Sequence, residues 1–300
     1  MHSCNFDAFP YDSVAQKRNQ MKRSLQPNTN HTDALLRVAG LSKQYVQRHP
    51  FSRKKFIVNA FQDVSLTISR GKTLAVVGES GAGKSTLARC IALLEPPTSG
   101  SIDLAGKNLL ALDRKELFHT RRAVQLIHQD HTSALNPGMT ACDIIAEPLV
   151  VQREGTKSQR RERALLLMEQ VGLDPAWERK RPLDFSGGQR QRLAIARALA
   201  LEPQLLILDE ALSNLDASNQ SLILNLLTDL QLSRSLTYLY ISHDLRLVSQ
   251  FADDVAVMCE GRIVEQEKTR GLFDCPKHPY TKELVFSMHS VESILLERSA

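Results

Sequence analysis

This 300-residue chain has no apolar run of the roughly 18 residues that a membrane span requires. Its first residues, MHSCNFDAFPYDSVAQKRNQ, lack the apolar centre of a signal peptide, so the sequence predicts a chain that stays in the cytoplasm. Cysteine is scarce and dispersed: Cys4, Cys90, Cys142, Cys259 and Cys275 form no CxxC pair. That argues against a disulfide framework and against a metal knuckle, and leaves reduced thiols. Also missing is any aromatic-interleaved RNA motif, although the net charge is +5 and the pI about 9.0. The basic residues are spread out, with clusters at RHPFSRKK (48–55) and QRRER (159–163). They read as a solvated face that could also meet anionic lipid headgroups, with no nucleic-acid partner. No internal repeat is present.

What is present is the composition of an ordinary globular protein, 42% hydrophobic and 24% charged, in a chain long enough for a sizeable core. Residues 1–33 are polar and aperiodic and are expected to be a disordered extension or a misassigned start. Strand patterns occupy LLRVAGL (35–41), VSLTIS (64–69) and TLAVVG (73–78). The last is apolar on both faces, as in a strand covered on both sides. Helix-period runs follow Lys84 and recur at 158–171, 188–200 and 218–230, alternating with buried-strand runs LLILD (205–209) and LTYLYIS (236–242). That alternation predicts an α/β fold. Residues 129–190, broken by Pro137, Pro148, Pro175 and Pro182, read as a mainly helical insertion. DDVAVM and GRIVEQ suggest a hairpin around Glu260 and Gly261, followed by short helices.

Two segments carry chemistry on their own terms. Gly78, Glu79, Ser80, Gly81, Ala82, Gly83, Lys84, Ser85 and Thr86 fit GxxxxGK[ST] between a buried strand and a helix. Its backbone amides would cradle phosphates, Lys84 would reach the β- and γ-phosphates, and the Ser85 hydroxyl would face Mg²⁺. LLILDE (205–210) ends a buried strand in two carboxylates. Asp209 is placed to hold Mg²⁺, and Glu210 to polarise the water attacking the γ-phosphate. A second anion cradle, Ser186, Gly187, Gly188 and Gln189, opens the helical run LDFSGGQRQRLAIARAL (183–199). Leu193, Ile195, Ala196 and Leu199 of that run read as core, whereas packing leaves the glycines at its start unexplained.

In order, the P-loop, Gln129 after the strand VQLIHQ, SGGQ, LLILDE, SNLD (213–216) and ISHD (241–244) resemble the ATPase subunit of an ABC transporter. The resemblance covers residues 35 to about 290. It implies a P-loop NTPase core at 34–268 with an antiparallel β subdomain and a helical subdomain at about 129–190. It also implies that two such domains dimerise head to tail. Ser186, Gly187, Gly188 and Gln189 of one then cap the γ-phosphate held by the P-loop of the other, which explains two cradles in one chain. By the same resemblance His243 contacts the γ-phosphate, and Gln129 links Mg²⁺ and the attacking water to the membrane subunits. Asp216 lies at the dimer interface and Tyr45 stacks on adenine.

Within that family QDHTSALNP (129–137) and FDCPKHPYTKEL (273–284) are similar to the peptide/nickel importer branch, with 269–300 as its C-terminal extension. Phe185, Ala211, His128 and His131 depart from the branch's usual residues, and none of them removes a catalytic group. The implied function is an ATP hydrolase energising import of peptides, nickel or a metal chelate. The implied partners are a paralogous second ATPase, two permeases and, indirectly, an extracytoplasmic solute-binding protein. The implied location is peripheral, on the cytoplasmic face of the cell membrane. The alternative is an ABC ATPase of phosphonate breakdown or another non-transport role.

Overall fold

The computed structural model describes residues 34–48, 55–128 and 134–297; the expected extension at 1–33 lies outside the described residues. Strands β1 (Ala34–Arg48) and β2 (Lys55–Ser69) pair antiparallel. Strand β3 (Thr73–Val77) then leads through the P-loop into α1 (Lys84–Ile91). Strands β4 (Ser99–Leu104) and β5 (Lys107–Asn108) return to β1, closing a four-stranded sheet of order β2-β1-β4-β5. Helix α2 (Arg114–Thr120), capped by Asp113 and Glu116, precedes β6 (Val124–Ile127).

Three helices follow: α3 (Ala141–Val151), α4 (Lys157–Gln170) and α5 (Gly187–Leu199). Each begins at a hydroxyl cap, Thr140, Thr156 or Ser186, whose oxygen accepts the amide of the third helical residue. The remaining elements are β7 (Leu205–Asp209), α6 (Ala217–Arg234), β8 (Thr237–Ser242), α7 (Leu245–Phe251), β9 (Asp254–Cys259), β10 (Arg262–Lys268), α8 (Thr269–Asp274) and α9 (Pro279–Glu297). The second sheet has order β10-β9-β3-β8-β7-β6, parallel except for the β9-β10 hairpin.

Strand periodicity divides the interior into two cores around this sheet. Leu74, Val76, Leu205, Ile207, Leu239 and Ile241 point to α1 and the antiparallel sheet. Ala75, Val77, Leu206, Leu208, Tyr238 and Tyr240 point to the helical side. Every residue of β3, β7 and β8 is therefore buried, which is why these strands read as continuous apolar runs. Several elements differ from what the sequence pattern predicts. β4 is polar at its exposed start, α2 buries none of its residues, and α9 is 19 residues long where short helices were expected.

Strands β3, β8 and β7 are consecutive neighbours in parallel register, with Val77 opposite Ser242 and Asp209 opposite Ile241. Their carboxyl ends consequently lie side by side on one edge of the sheet, where open α/β sheets bind ligands.

Candidate functional site

That edge gathers the residues following three strands: the P-loop after β3, Asp209 and Glu210 at the end of β7, and His243 after β8. The P-loop cannot be built with side chains at its two hinges. Gly78 has φ +148° and a Cβ there would lie 2.0 Å from the Met258 carbonyl oxygen; Gly83 has φ +101° and a Cβ would lie 2.3 Å from that of Ala60. Only glycine combines that backbone conformation with that proximity. Between the hinges the chain folds back on itself, the Ala82 amide donating to the Glu79 carbonyl.

Lys84 opens α1 and is 4% exposed. Its ammonium donates to the carbonyls of Gly78 (2.7 Å) and Glu79 (2.8 Å), and among the described residues no carboxylate forms an ion pair with it. Burial pushes its pKa down, opposed by the charges of Glu210, Asp209 and Glu79. A buried cation satisfied only by carbonyls is prepared for an anion in the loop it spans.

The next residue joins the two motifs. Ser85 Oγ donates to Asp209 Oδ1 at 2.8 Å across 124 residues of sequence. Burial raises the Asp209 pKa; the Ser85 hydrogen bond lowers it, the Glu210 charge raises it and His128 lowers it. A hydroxyl and a carboxylate brought together beside a second carboxylate form a hard-oxygen donor set. Such a set fits Mg²⁺, which commonly keeps waters and phosphate oxygens as its remaining ligands. Glu210 adopts φ +48° and its amide donates to the Ile241 carbonyl at 3.0 Å. That left-handed turn aims its side chain away from the strand, and Oε1 lies 3.5 Å from His243 Nδ1. The Asp-Glu pair thus divides: Asp209 faces α1 and Glu210 faces β8.

Tyr45 on β1 is half-buried, its hydroxyl donating to Glu95 Oε2 with Lys43 5.0 Å over the ring. The Glu95 hydrogen bond, then burial, push its pKa up, and Thr86 and Arg89 of α1 act in the opposite sense. The ring therefore stands beside the P-loop helix. Gln129 and His131 lie outside the described residues, so the structure does not place them.

The Ser186–Gln189 turn is separate from this edge: among the described residues no hydrogen bond joins it to the P-loop, Asp209 or Glu210. It is a capping box. Ser186 Oγ accepts the Gln189 amide at 3.3 Å, and Gln189 Oε1 accepts the Ser186 amide at 2.9 Å. Helix geometry leaves the amides of Gly187 and Gly188 without intrahelical acceptors. As expected, Leu193, Ile195, Ala196 and Leu199 are core. The expectation that packing leaves both glycines unexplained needs correction at Gly188. A Cβ there would lie 2.5 Å from Asn219 Oδ1 of α6, so a side chain at this position would have to displace the Asn219 amide. Asn219 in turn donates to Asp216 Oδ2 at 2.6 Å, a link from the turn to the SNLD segment that sequence spacing does not signal. Phe185, the departure just before the turn, is 3% exposed and packs edge-on to Trp177 at 6.0 Å. The segment FDCPKHPYTKEL (273–284) also bears on the site, since Tyr280 Oη accepts the Glu79 amide of the P-loop at 2.9 Å.

Comparison with known proteins agrees with this arrangement. A family profile described as ABC transporter matches residues 61–213. The chain is 48% identical over 255 residues to the probable peptide ABC transporter ATP-binding protein y4tS of Sinorhizobium fredii, covering 85% of this chain and 72% of that protein. It is 43% identical over 251 residues to the dipeptide transport ATP-binding protein DppF of Escherichia coli, covering 84% of this chain and 75% of that protein. Its fold is similar to the ATP-binding cassette MJ0796, solved as a dimer in a post-hydrolysis state bound to ADP and Pi. The TM-score is 0.69 at 30% identity, over 79% of this chain and 99% of that one. The sequence, the sheet order and the relatives agree: this chain belongs to the ABC transporter family, as an ATP-binding subunit that hydrolyses ATP.

Proposed function

We propose that this chain is the ATPase subunit of an importer that carries peptides across a membrane. It works as a peripheral subunit on the cytoplasmic face with two permeases, a second and paralogous ATPase and, indirectly, a solute-binding protein outside. The observation that carries the ATPase chemistry is the buried Lys84 ammonium lodged in a glycine-hinged bend beside the Ser85–Asp209 pair. The cargo class rests on the relatives, which are named for peptides. Among the described residues no helix is long and apolar enough to cross a membrane, which suits a subunit whose channel is formed by others.

In this reading the amides between Glu79 and Thr86, with Lys84, hold the β- and γ-phosphates, and Tyr45 stacks on the adenine. Ser85, Asp209 and Gln129 would hold Mg²⁺, which when bound neutralises phosphate charge. The Glu210 carboxylate accepts a proton from water as the water oxygen bonds to the γ-phosphorus. The bond from that phosphorus to the ADP oxygen breaks, and ADP and phosphate leave. His243, beside Glu210, contacts the γ-phosphate and reports its presence to β8. Ser186, Gly187, Gly188 and Gln189 close on the nucleotide of the partner subunit, with Asp216 at that interface, and opening after hydrolysis resets the permeases through α3 and α4.

The test is uptake of a radiolabelled dipeptide by cells lacking the chain and by cells carrying Lys84→Ala, alongside ATP turnover by the purified protein. Uptake lost in both strains supports the reading. Uptake unchanged in both, with ATP turnover intact in the unaltered chain, overturns the peptide cargo and leaves the ATPase.

A further inference from the structure

The C-terminal segment around His278, Pro279 and Tyr280 has no task in the chemistry above, yet it touches the P-loop. Strand β10 holds it in place. Glu265 carboxylate oxygens accept the backbone amides of Lys277 (3.0 Å) and His278 (2.9 Å), and Glu267 pairs with the Lys277 ammonium at 2.9 Å. Burial pushes the Glu265 carboxyl up, but the Thr281 side chain, then the amides of His278 and Lys277, hold it below the usual carboxylate range. His278 Nδ1 accepts the Tyr280 amide at 3.3 Å, closing the turn that starts α9. Thr281 and Val285 are buried in the first turns of α9, and Tyr280 and Leu284 pack against the same core.

That docking delivers the Tyr280 hydroxyl to the Glu79 amide at 2.9 Å, bridging 201 residues of sequence. Glu79 is the residue whose carbonyl accepts both the Lys84 ammonium and the Ala82 amide. Tyr280 therefore anchors the Gly78–Glu79 peptide unit, whose Gly78 carbonyl also accepts the Lys84 ammonium at 2.7 Å. The other wall of the loop entrance is backbone, since Gly78 lies against the Met258 carbonyl of β9.

We propose that Tyr280 is a positioning residue of the nucleotide site, and that the segment Lys277–Tyr280, clamped by Glu265 and Glu267, sets the P-loop in its phosphate-ready shape. The inference rests on the nucleotide-binding reading of the P-loop. It adds that affinity for nucleotide depends on an element outside the family match, which ends at residue 213.

The test uses the full-length subunit and a fluorescent ATP analogue. Tyr280→Phe removes only the hydroxyl, and its dissociation constant should rise about three- to tenfold, the equivalent of one hydrogen bond, while its unfolding temperature stays near that of the unaltered chain. Leu284→Ala weakens the packing of the same helix and should lower the unfolding temperature without that rise. Glu265→Ala should match Tyr280→Phe, Glu265→Gln, whose single amide oxygen can accept only one of the two backbone N–H groups, should fall between Glu265→Ala and the unaltered chain, and Tyr280→Phe combined with Glu265→Ala should be no weaker than either alone. Unaltered affinity in Tyr280→Phe, or affinity that falls in step with unfolding temperature across all variants, overturns the proposal. Lys84→Ala separates the two readings: if it binds the analogue as tightly as the unaltered chain, the nucleotide site itself has been misplaced.

Discussion

At the residue scale the site is a set of charges placed where water cannot reach them freely. Lys84 and Asp209 are both buried, and each is shifted by that burial toward its neutral form. Their arrangement is suited to binding phosphate and a hard cation more than to folding. The left-handed backbone at Glu210 directs its side chain toward His243. Glu210→Gln is expected to keep ATP affinity while lowering turnover by about a hundredfold or more, the range of a lost general base. Single-turnover hydrolysis beside equilibrium binding measures both, and undiminished turnover would remove Glu210 from its assigned role.

Tyr45 permits a second residue-scale prediction, because the proposed adenine contact belongs to its ring and the bond to Glu95 to its hydroxyl. Tyr45→Phe should leave nucleotide affinity near normal and reduce stability by about 1 kcal/mol at neutral pH. The sign of the pH effect follows from Glu95, whose carboxyl is held below its ordinary value by the Tyr45 hydroxyl and then by Arg89, against burial. A lowered carboxylate contributes stability above the ordinary carboxylate range and loses it as pH falls through the lowered value. The deficit of Tyr45→Phe should therefore shrink in acid, which thermal unfolding across pH would reveal. A deficit independent of pH would mean that the hydroxyl acts through something other than Glu95.

At the element scale, the turn before α5 is held from outside the helix. Phe185 is buried against Trp177, with the Lys180 ammonium 4.0 Å over the indole ring. Phe185→Ala should destabilise the subunit by about 3–5 kcal/mol, as buried aromatic truncations do. Phe185→Leu should cost about 1–2 kcal/mol, since it fills most of the space and loses the ring pair. Denaturant unfolding distinguishes the two, and equal costs would mean that the ring pair contributes nothing. The P-loop makes a stricter demand. Gly83→Ala would put a methyl group 2.3 Å from the Ala60 carbonyl, so it should lose nucleotide binding together with stability.

At the scale of the whole molecule, the two cradles do not meet within one chain. The P-loop lies on the sheet edge, while the Ser186 turn begins a helix whose apolar face is packed into the helical core. A structurally similar cassette is dimeric with ADP and Pi bound. If the proposed pairing holds, the subunit bearing Glu210→Gln should associate with a second ATPase subunit when ATP is added and separate when ATP is removed, as light scattering would show. Monomers under every condition would contradict pairing across the two cradles.

The sequence by itself determined the α/β alternation, the glycine-rich P-loop, the Asp-Glu pair and the helix that opens at Ser186. Each of these is local: an apolar run, a fixed spacing of glycines, a polar turn at a helix start. Polar or solvent-facing elements escaped it; β4 and α2 show why, since neither presents a continuous apolar pattern to read. Contacts between distant segments also required the tertiary structure. Ser85 meets Asp209 because β3 and β7 both neighbour β8, Gly188 lies against the Asn219 side chain because α6 brings it there, and Tyr280 reaches Glu79 because β10 clamps the chain beside the P-loop. Short-range patterning specifies what each segment becomes, whereas the packing of the sheet decides which side chains share one site.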